Sequence, residues 1–389
     1  MKVLTYIDAY LPGERAGGPV QTLSAMVQEL VQTDFWIVTR NHDLGVAEPY
    51  RDVPFDRWTR HGRANVLYLS RGQVTTRRLG QVAREVKPDL VYTHSVFSRV
   101  ALRYLLARRL RLAPQDPLLI APRGEFSPGA LAIKLVRKRA WLAFSRVAGL
   151  YRGATWHASA ERERDEIQQT LGAGTRVAVA PNLVPIPVPR AGVRPAKVPG
   201  RARFIFVSRI SPKKNLRAVI DVLGRLRGDV ELDVYGEIED PSYWAECESA
   251  ATRLPPNARV NYRGRVGHAE VYEAFAKHDA FVFPTLGENF GHVIFEALIS
   301  GCPVLVSDTT PWSGLAAKGA GWVLKPSDVE GWAQAMQGCV DMGPELEEMS
   351  RSCPSVAVAF TRNEDAIHAN RLVFEAAVQS RGTVPRTRT

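Results

Sequence analysis

Cysteine is scarce: the 389 residues contain four, Cys247, Cys302, Cys339 and Cys353, with no C-x-x-C pair and no adjoining histidine cluster. That pattern speaks against a disulfide framework and reads as reduced thiols in a cytosolic protein. No stretch of 18 uninterrupted apolar residues occurs, so no transmembrane helix is predicted and any membrane contact is peripheral. The chain opens on a strand-like run, MKVLTYIDAY, without the long apolar region of a secretory leader. G-x-S-x-G, H-E-x-x-H and G-x-x-x-x-G-K-[ST] are all missing, as are short repeats and low-complexity tracts. Acidic residues are outnumbered, 40 to 51.

The hydrophobic fraction of 45% is ample for two cores, and the length suits two domains. The excess of +11 is concentrated. Between Arg99 and Arg152 twelve basic residues face only Asp116 and Glu125, so nearly the whole excess sits there. A patch of that kind attracts phosphates, whether of anionic lipid, lipid-linked pyrophosphate or nucleic acid. Within it, LAIKLVRKRAWLAFSRV (131–147) reads as a basic amphipathic helix suited to an anionic membrane surface.

Short apolar runs alternate with amphipathic segments along the chain. VLTYI, FWIVTR, NVLYLS, DLVYTH, PLLIAPRG, ATWHAS and RVAVAPN read as strands, and helices are predicted between most of them. A Pro- and Gly-rich stretch near 183–202 interrupts the pattern, and a second series follows from RFIFVSR to GAGWVLK. The reading is α/β, two doubly wound parallel sheets. The predicted boundaries are an N-terminal domain 1–185, a linker 186–202, a C-terminal domain 203–360, and a C-terminal helix and tail 361–389, the helix packing back on the N-terminal domain. Helices are predicted near 330–340 and 362–378.

Four segments carry candidate chemistry. In PTLGENFGHVIFEALISGCPVLVSD, seven residues separate Glu288, in a loop after a strand, from Glu296, about two turns into the next helix. The loop end and the helix can share a face, and backbone N–H groups at a helix start suit an anion or sugar hydroxyls. In VSRISPKKN, Arg209 ends a strand and Lys214 starts a helix, with Lys213 as a one-residue alternative. Two cations there can grip a diphosphate. In RAGGPVQTL, Gly17 and Gly18 precede a helix and allow close backbone approach to a phosphate. His94 ends a strand in VYTHS.

The wording GENFGHVIFEAL followed by PVLVSDTTPW resembles the E-x7-E pattern of the large family 4 of retaining glycosyltransferases, in the branch that builds bacterial exopolysaccharide, capsule and O-antigen. The resemblance is strong from about 204 to 325 and weaker in the N-terminal half. It implies a GT-B fold: two Rossmann-like domains facing a central cleft, acceptor in the first and nucleotide-sugar in the second. By the same resemblance Arg209 and Lys214 hold the donor diphosphate, Glu296 the ribose, and Glu288 with the backbone of Asn289, Phe290 and Gly291 the transferred sugar. Gly17 and Gly18 line the donor phosphates, the base rests near Arg265 and Val266, and His94 faces the donor sugar. APRGEFSPGAL resembles an acceptor loop, so Arg123 and Glu125 would touch the acceptor.

No D-x-D triplet supports a metal-dependent route, so no metal or other cofactor is expected. The resemblance implies transfer with retention of a hexose-type sugar from a UDP- or GDP-linked donor to a saccharide or lipid-pyrophosphate-linked acceptor, by a cytoplasmic protein at the inner membrane. Two other readings stay open: a GT-B sugar-nucleotide epimerase or hydrolase, and a non-catalytic basic protein binding nucleic acid. The second lacks any recognisable nucleic-acid motif, so nucleic acid is not an expected partner.

Overall fold

The computed structural model describes residues 1–13, 15, 17–132, 135–184, 195–361 and 364–380. It divides into two compact units, Met1–Pro185 with Asn363–Thr389, and Ile186–Arg362.

In unit 1 the chain runs β1 (Lys2–Tyr6), α1 (Gly18–Glu29), β2 (Asp34–Arg40), β3 (Trp58–His61), β4 (Ala64–Leu69), α2 (Thr76–Val86), β5 (Leu90–His94) and α3 (Arg99–Arg109). It continues through β6 (Leu118–Ala121), α4 (Pro128–Ala132), α5 (Leu135–Val147), β7 (Ala154–Ala158), α6 (Glu161–Leu171) and β8 (Val177–Val179). The strands form one sheet in the order β3-β4-β2-β1-β5-β6-β7-β8, parallel except for the β3–β4 hairpin. Strands such as LVYTH and ATWHA are buried along their whole length, because helices cover both faces of a parallel sheet. One core packs Val20, Leu23 and Met26 of α1 under the sheet; the other packs Leu79 of α2 and Tyr104 of α3 over it, where Tyr104 stacks on Tyr6 at 4.4 Å.

Unit 2 runs β9 (Arg201–Val207), α7 (Leu216–Leu223), β10 (Asp229–Tyr235), α8 (Pro241–Ala251), β11 (Ala258–Gly264), α9 (His268–Ala276), β12 (Ala280–Phe283) and α10 (His292–Ile299). Then come β13 (Val304–Ser307), β14 (Gly321–Leu324), α11 (Val329–Asp341) and α12 (Pro344–Thr361). Its six strands pair in parallel, in the order β11-β10-β9-β12-β13-β14. The last helix, α13 (Glu364–Gln379), belongs to unit 1: Phe374 meets Phe35 and Tyr92, and Asn370 Nδ2 donates to the Pro181 carbonyl at 2.9 Å.

In each sheet the first strand lies beside a strand reached only after the chain has run outward and returned. The reversals fall between β1 and β5, and between β9 and β12. Carboxyl ends of strands at such a reversal diverge and leave a crevice, the usual ligand position in doubly wound sheets.

Several expectations are corrected. β9 opens at Arg201, two residues inside the proposed linker, and 185–194 lies outside the described residues. The hairpin strand β3 has no counterpart in the sequence reading, because WTRH is short and half polar. α12 was also unforeseen: Pro354 and three serines disguise an 18-residue helix. Of the helix expected over 131–147, α4 describes the residues up to Ala132 and α5 those from Leu135, and residues 133–134, Lys134 among them, lie outside the described residues. On α5, Val136, Phe144 and Val147 are 81%, 51% and 90% exposed among exposed Arg137, Arg139 and Arg146. Among the described residues no helix is long and apolar enough to cross a membrane.

Candidate active site

In unit 2 the loops after β9 and β12 are latched together. The Leu286 amide and the Thr285 hydroxyl both donate to the Lys213 carbonyl, at 2.9 and 3.3 Å, and Asn215 Nδ2 donates to the Pro284 carbonyl at 3.2 Å. Thr309, after β13, adds a third loop: its hydroxyl donates to the Thr285 carbonyl at 2.7 Å and its own carbonyl accepts from the Glu288 amide. Lys214 does not start a helix. It ends a 3-10 turn, Pro212–Lys214, and Asn215, in the left-handed region at φ 59°, turns the chain into α7.

This frame brings Lys214 Nζ onto Glu288 Oε1 as a largely enclosed ion pair, 11% and 16% exposed. The ammonium also sits 5.2 Å over the Phe283 ring, a cation–π contact that holds it against the strand end. Burial pushes the Glu288 carboxyl up, but Lys214 foremost, then Lys213 and Arg209, outweigh it and hold the group below its ordinary value. Glu288 is therefore a carboxylate at neutral pH. Arg209 itself is exposed and pairs with Glu239 at 2.6 Å. The residues after β9 thus supply three positive charges that act on one carboxylate from the neighbouring strand end.

Glu296 is the fifth residue of α10, just over one turn in rather than two. Burial alone pushes its carboxyl up to about 8. Its charge reaches Tyr272 of α9, whose phenol is raised by burial first and by Glu296 second. The pKa carries a linkage consequence. The folded chain keeps a proton that the unfolded chain sheds near 4.5, so stability declines as pH rises through that window to about 8. Glu296→Gln is expected to remove the decline: a gain of about 1–2 kcal/mol at pH 9, discounted for the side chain's partial exposure, and no change at pH 4. Thermal unfolding across this range checks it; parallel profiles for both proteins would refute it.

Asn289, Phe290 and Gly291 lead from Glu288 into α10. Gly291 adopts φ 77°, and a Cβ there would meet Ile294 at 2.8 Å, so the close turn requires glycine. The Phe290 carbonyl accepts from the buried Trp312 indole at 2.7 Å, and Trp312 stacks on Phe360 at 3.9 Å. Val266 is half-buried just beyond the end of β11.

In unit 1, Gly17 caps α1 at φ 59° and Gly18 is already its first residue. His94 is fully buried, with neither ring nitrogen partnered among the described residues, and burial first, then Arg123 and His157, push its pKa well down. Arg123 donates to Asn182 Oδ1 and, at 2.6 Å, to the Tyr92 hydroxyl. Glu125 accepts from the Ser95 hydroxyl at 2.5 Å and the Val96 amide at 2.6 Å, so it braces the loop after β5. Tyr92, His157, Asn182, Tyr272, Thr309 and Trp312 were missed as participants. For three of them the signal was available: HAS and APN end strands on polar residues as THS does, and T-P-W closes the resemblance pattern.

Two doubly wound parallel-sheet units, with cations and a carboxylate gathered at the reversal of the second, define the GT-B class, and the fold is GT-B. Residues 193–354 match the family model "Glycosyl transferases group 1". The chain is 28% identical over 200 residues to a glycogen synthase of Mycobacterium tuberculosis, covering 48% of this chain and 46% of that protein. It is 28% identical over 132 residues to the O-antigen chain mannosyltransferase B of Escherichia coli, covering 32% and 33%. The chain thus spans less than half the length of these curated relatives. Among solved structures, Anabaena HepE in complex with UDP and glucose superposes with a TM-score of 0.67 at 17% identity, covering 97% of this chain and 99% of that one. The C-terminal half is thus similar to group 1 glycosyl transferases, and the whole chain shares the GT-B fold.

Proposed function

We propose that the chain is a retaining glycosyltransferase that moves a hexose-type sugar from a UDP- or GDP-linked donor to a saccharide or lipid-pyrophosphate-linked acceptor in bacterial surface polysaccharide synthesis. The observation that carries the reading is Lys214 paired with Glu288 at the reversal of the unit 2 sheet, with Arg209 acting on the same carboxylate. In the reaction, the bond between the anomeric carbon and the β-phosphate oxygen breaks and the acceptor oxygen bonds to that carbon. Charge grows on the departing phosphate, and Lys214 and Arg209 neutralise it. The phosphate takes the acceptor proton, so no separate base is needed.

Glu288 and the backbone of Asn289–Gly291 hold the sugar hydroxyls; Glu296 holds the ribose. Val266 borders the base, Gly17 and Gly18 the donor phosphates, and His94 the donor sugar. A bound UDP and glucose in HepE, and an O-antigen mannosyltransferase among the relatives, support this assignment of donor and pathway. The exposed apolar residues of α5 among arginines suit an anionic inner membrane surface, where a cytoplasmic enzyme would meet a lipid-linked acceptor.

The test is a thermal-stabilisation screen of UDP-, GDP- and ADP-sugars, followed by transfer assays with membrane lipid extract. One nucleotide series should stabilise the chain by several degrees and then give a lipid-soluble glycosylated product. No stabilisation by any of them would refute the reading.

A further inference from the structure

Left-handed backbone clusters at one spot of unit 1. Ser95 has φ 70°, Arg123 φ 54° and Gly124 φ 80°. All three follow the ends of neighbouring strands, since His94 of β5 is in register with Ala121 of β6. Two of them, Ser95 and Arg123, carry side chains, for which this conformation is strained. Such strain persists only where the surrounding structure holds it.

The side chains gathered there form a directed chain of hydrogen bonds. Arg123 donates to Tyr92, and Tyr92 meets His157 Nδ1 at 2.7 Å. His157 Nε2 then lies 3.0 Å from the Ala180 carbonyl, which can only accept. The imidazole therefore carries its proton on Nε2 and accepts a hydrogen bond from the Tyr92 hydroxyl at Nδ1. Burial pushes Tyr92 up to about 12 and His157 down to about 3, and both stay neutral. His94, its ring 4.4 Å from Tyr92, is neutral for the same reason. Asn182 is neutral by nature.

Arg123 is thus the one permanent charge in this group, bonded only to neutral oxygens, and its Nε is buried without a partner among the described residues. The carboxylates nearby are engaged elsewhere. Glu125 serves Ser95 and Val96. Glu163 accepts from the Gly124 amide with one oxygen and from Ser159 twice with the other. A half-buried guanidinium without a bonded counter-charge beside a buried, unpartnered imidazole is costly unless a ligand completes it.

We infer that unit 1 carries an anion-binding site, built on the Arg123 guanidinium as Tyr92 and Asn182 hold it, that takes an acidic group of the acceptor, a phosphate or a sugar carboxylate. This deepens the proposed function and rests on it for the word acceptor.

The test measures binding of glucose 1-phosphate, glucuronate and glucose to the full chain by calorimetry or ligand-detected NMR. At least one of the two acids should bind about tenfold or more tighter than glucose. Glucose 1-phosphate alone points to a lipid-linked phosphate, glucuronate alone to an acidic sugar, and either supports the site. The preference should survive Arg209→Ala, which weakens the unit 2 phosphate grip, and should vanish in Arg123→Gln. If Arg123→Gln folds poorly, Asn182→Asp decides. It supplies the missing counter-charge in place, so it should raise the melting temperature while abolishing the preference for acids; a purely structural Arg123 would give the first effect without the second. No preference in the wild-type chain, one lost in Arg209→Ala, or one kept in Asn182→Asp overturns the inference. Loss of the donor reading would show separately, as no stabilisation by nucleotide-sugars while the acid preference stands.

Discussion

Lys214→Ala is expected to lower kcat/KM for the nucleotide-sugar by about a thousandfold, the scale of losing one preorganised charge aimed at a developing oxyanion. It should also destabilise the fold by about 3 kcal/mol, because it strands the enclosed Glu288 carboxylate. The two effects separate by pH. In the wild-type chain Glu288 titrates below its ordinary value, so its pair stabilises the fold above the carboxylate range, and that stabilisation is lost as pH falls through the folded value. Without Lys214, burial, already the largest single influence on the group, pushes the carboxyl up instead. The stability deficit should therefore be full at pH 7 and small in acid. Adding Glu288→Gln to Lys214→Ala should restore most of the stability and none of the turnover. Thermal unfolding at pH 4 and 7, with nucleotide release as the activity readout, checks both halves. Near-wild-type turnover in Lys214→Ala would remove the site from this loop.

That two motifs 74 residues apart meet at one end of the sheet was legible because both are chemically marked and because strand–helix alternation fixes where they end; that Lys214 pairs directly with Glu288 was not. Once β9 and β12 are parallel neighbours, whatever follows each must meet at their carboxyl ends. The depth of Glu296 was less legible. A loop that runs to Gly291 before α10 starts shortens the helical distance, and spacing alone does not reveal where a helix begins. The Arg123 network was not legible at all. Its members come from separate strand ends, 31, 59 and 65 residues apart along the chain for the three bonds that join them. Periodicity reports which face of an element is buried; it does not report which polar side chains from different strands find one another there. α12 failed for the opposite reason, since local composition around Pro354 argues against a helix that tertiary packing of Cys353 and Ala357 stabilises.

Trp312 shows how far the site depends on its support. The indole is fully buried, stacked on Phe360, and its one N–H goes to the Phe290 carbonyl, next to the left-handed Gly291 turn. Trp312→Phe keeps most of the apolar volume but leaves that carbonyl unsatisfied, at about 1–3 kcal/mol. The carbonyl can recover a partner only by turning toward solvent, which rotates the Asn289–Gly291 peptides and shifts Glu288 against Lys214. The expected result is a donor KM raised about tenfold with a smaller loss in kcat, since a 1 Å misplacement of binding groups costs up to about 100-fold in rate. Trp312→Ala also forfeits the ring packing, about 3–5 kcal/mol, and should lower the melting temperature sharply. Steady-state kinetics with varied donor, alongside thermal unfolding, separate the two variants. A Trp312→Phe enzyme with unchanged donor KM would mean that the backbone of this loop is held by Gly291 alone, and that the indole serves only the core.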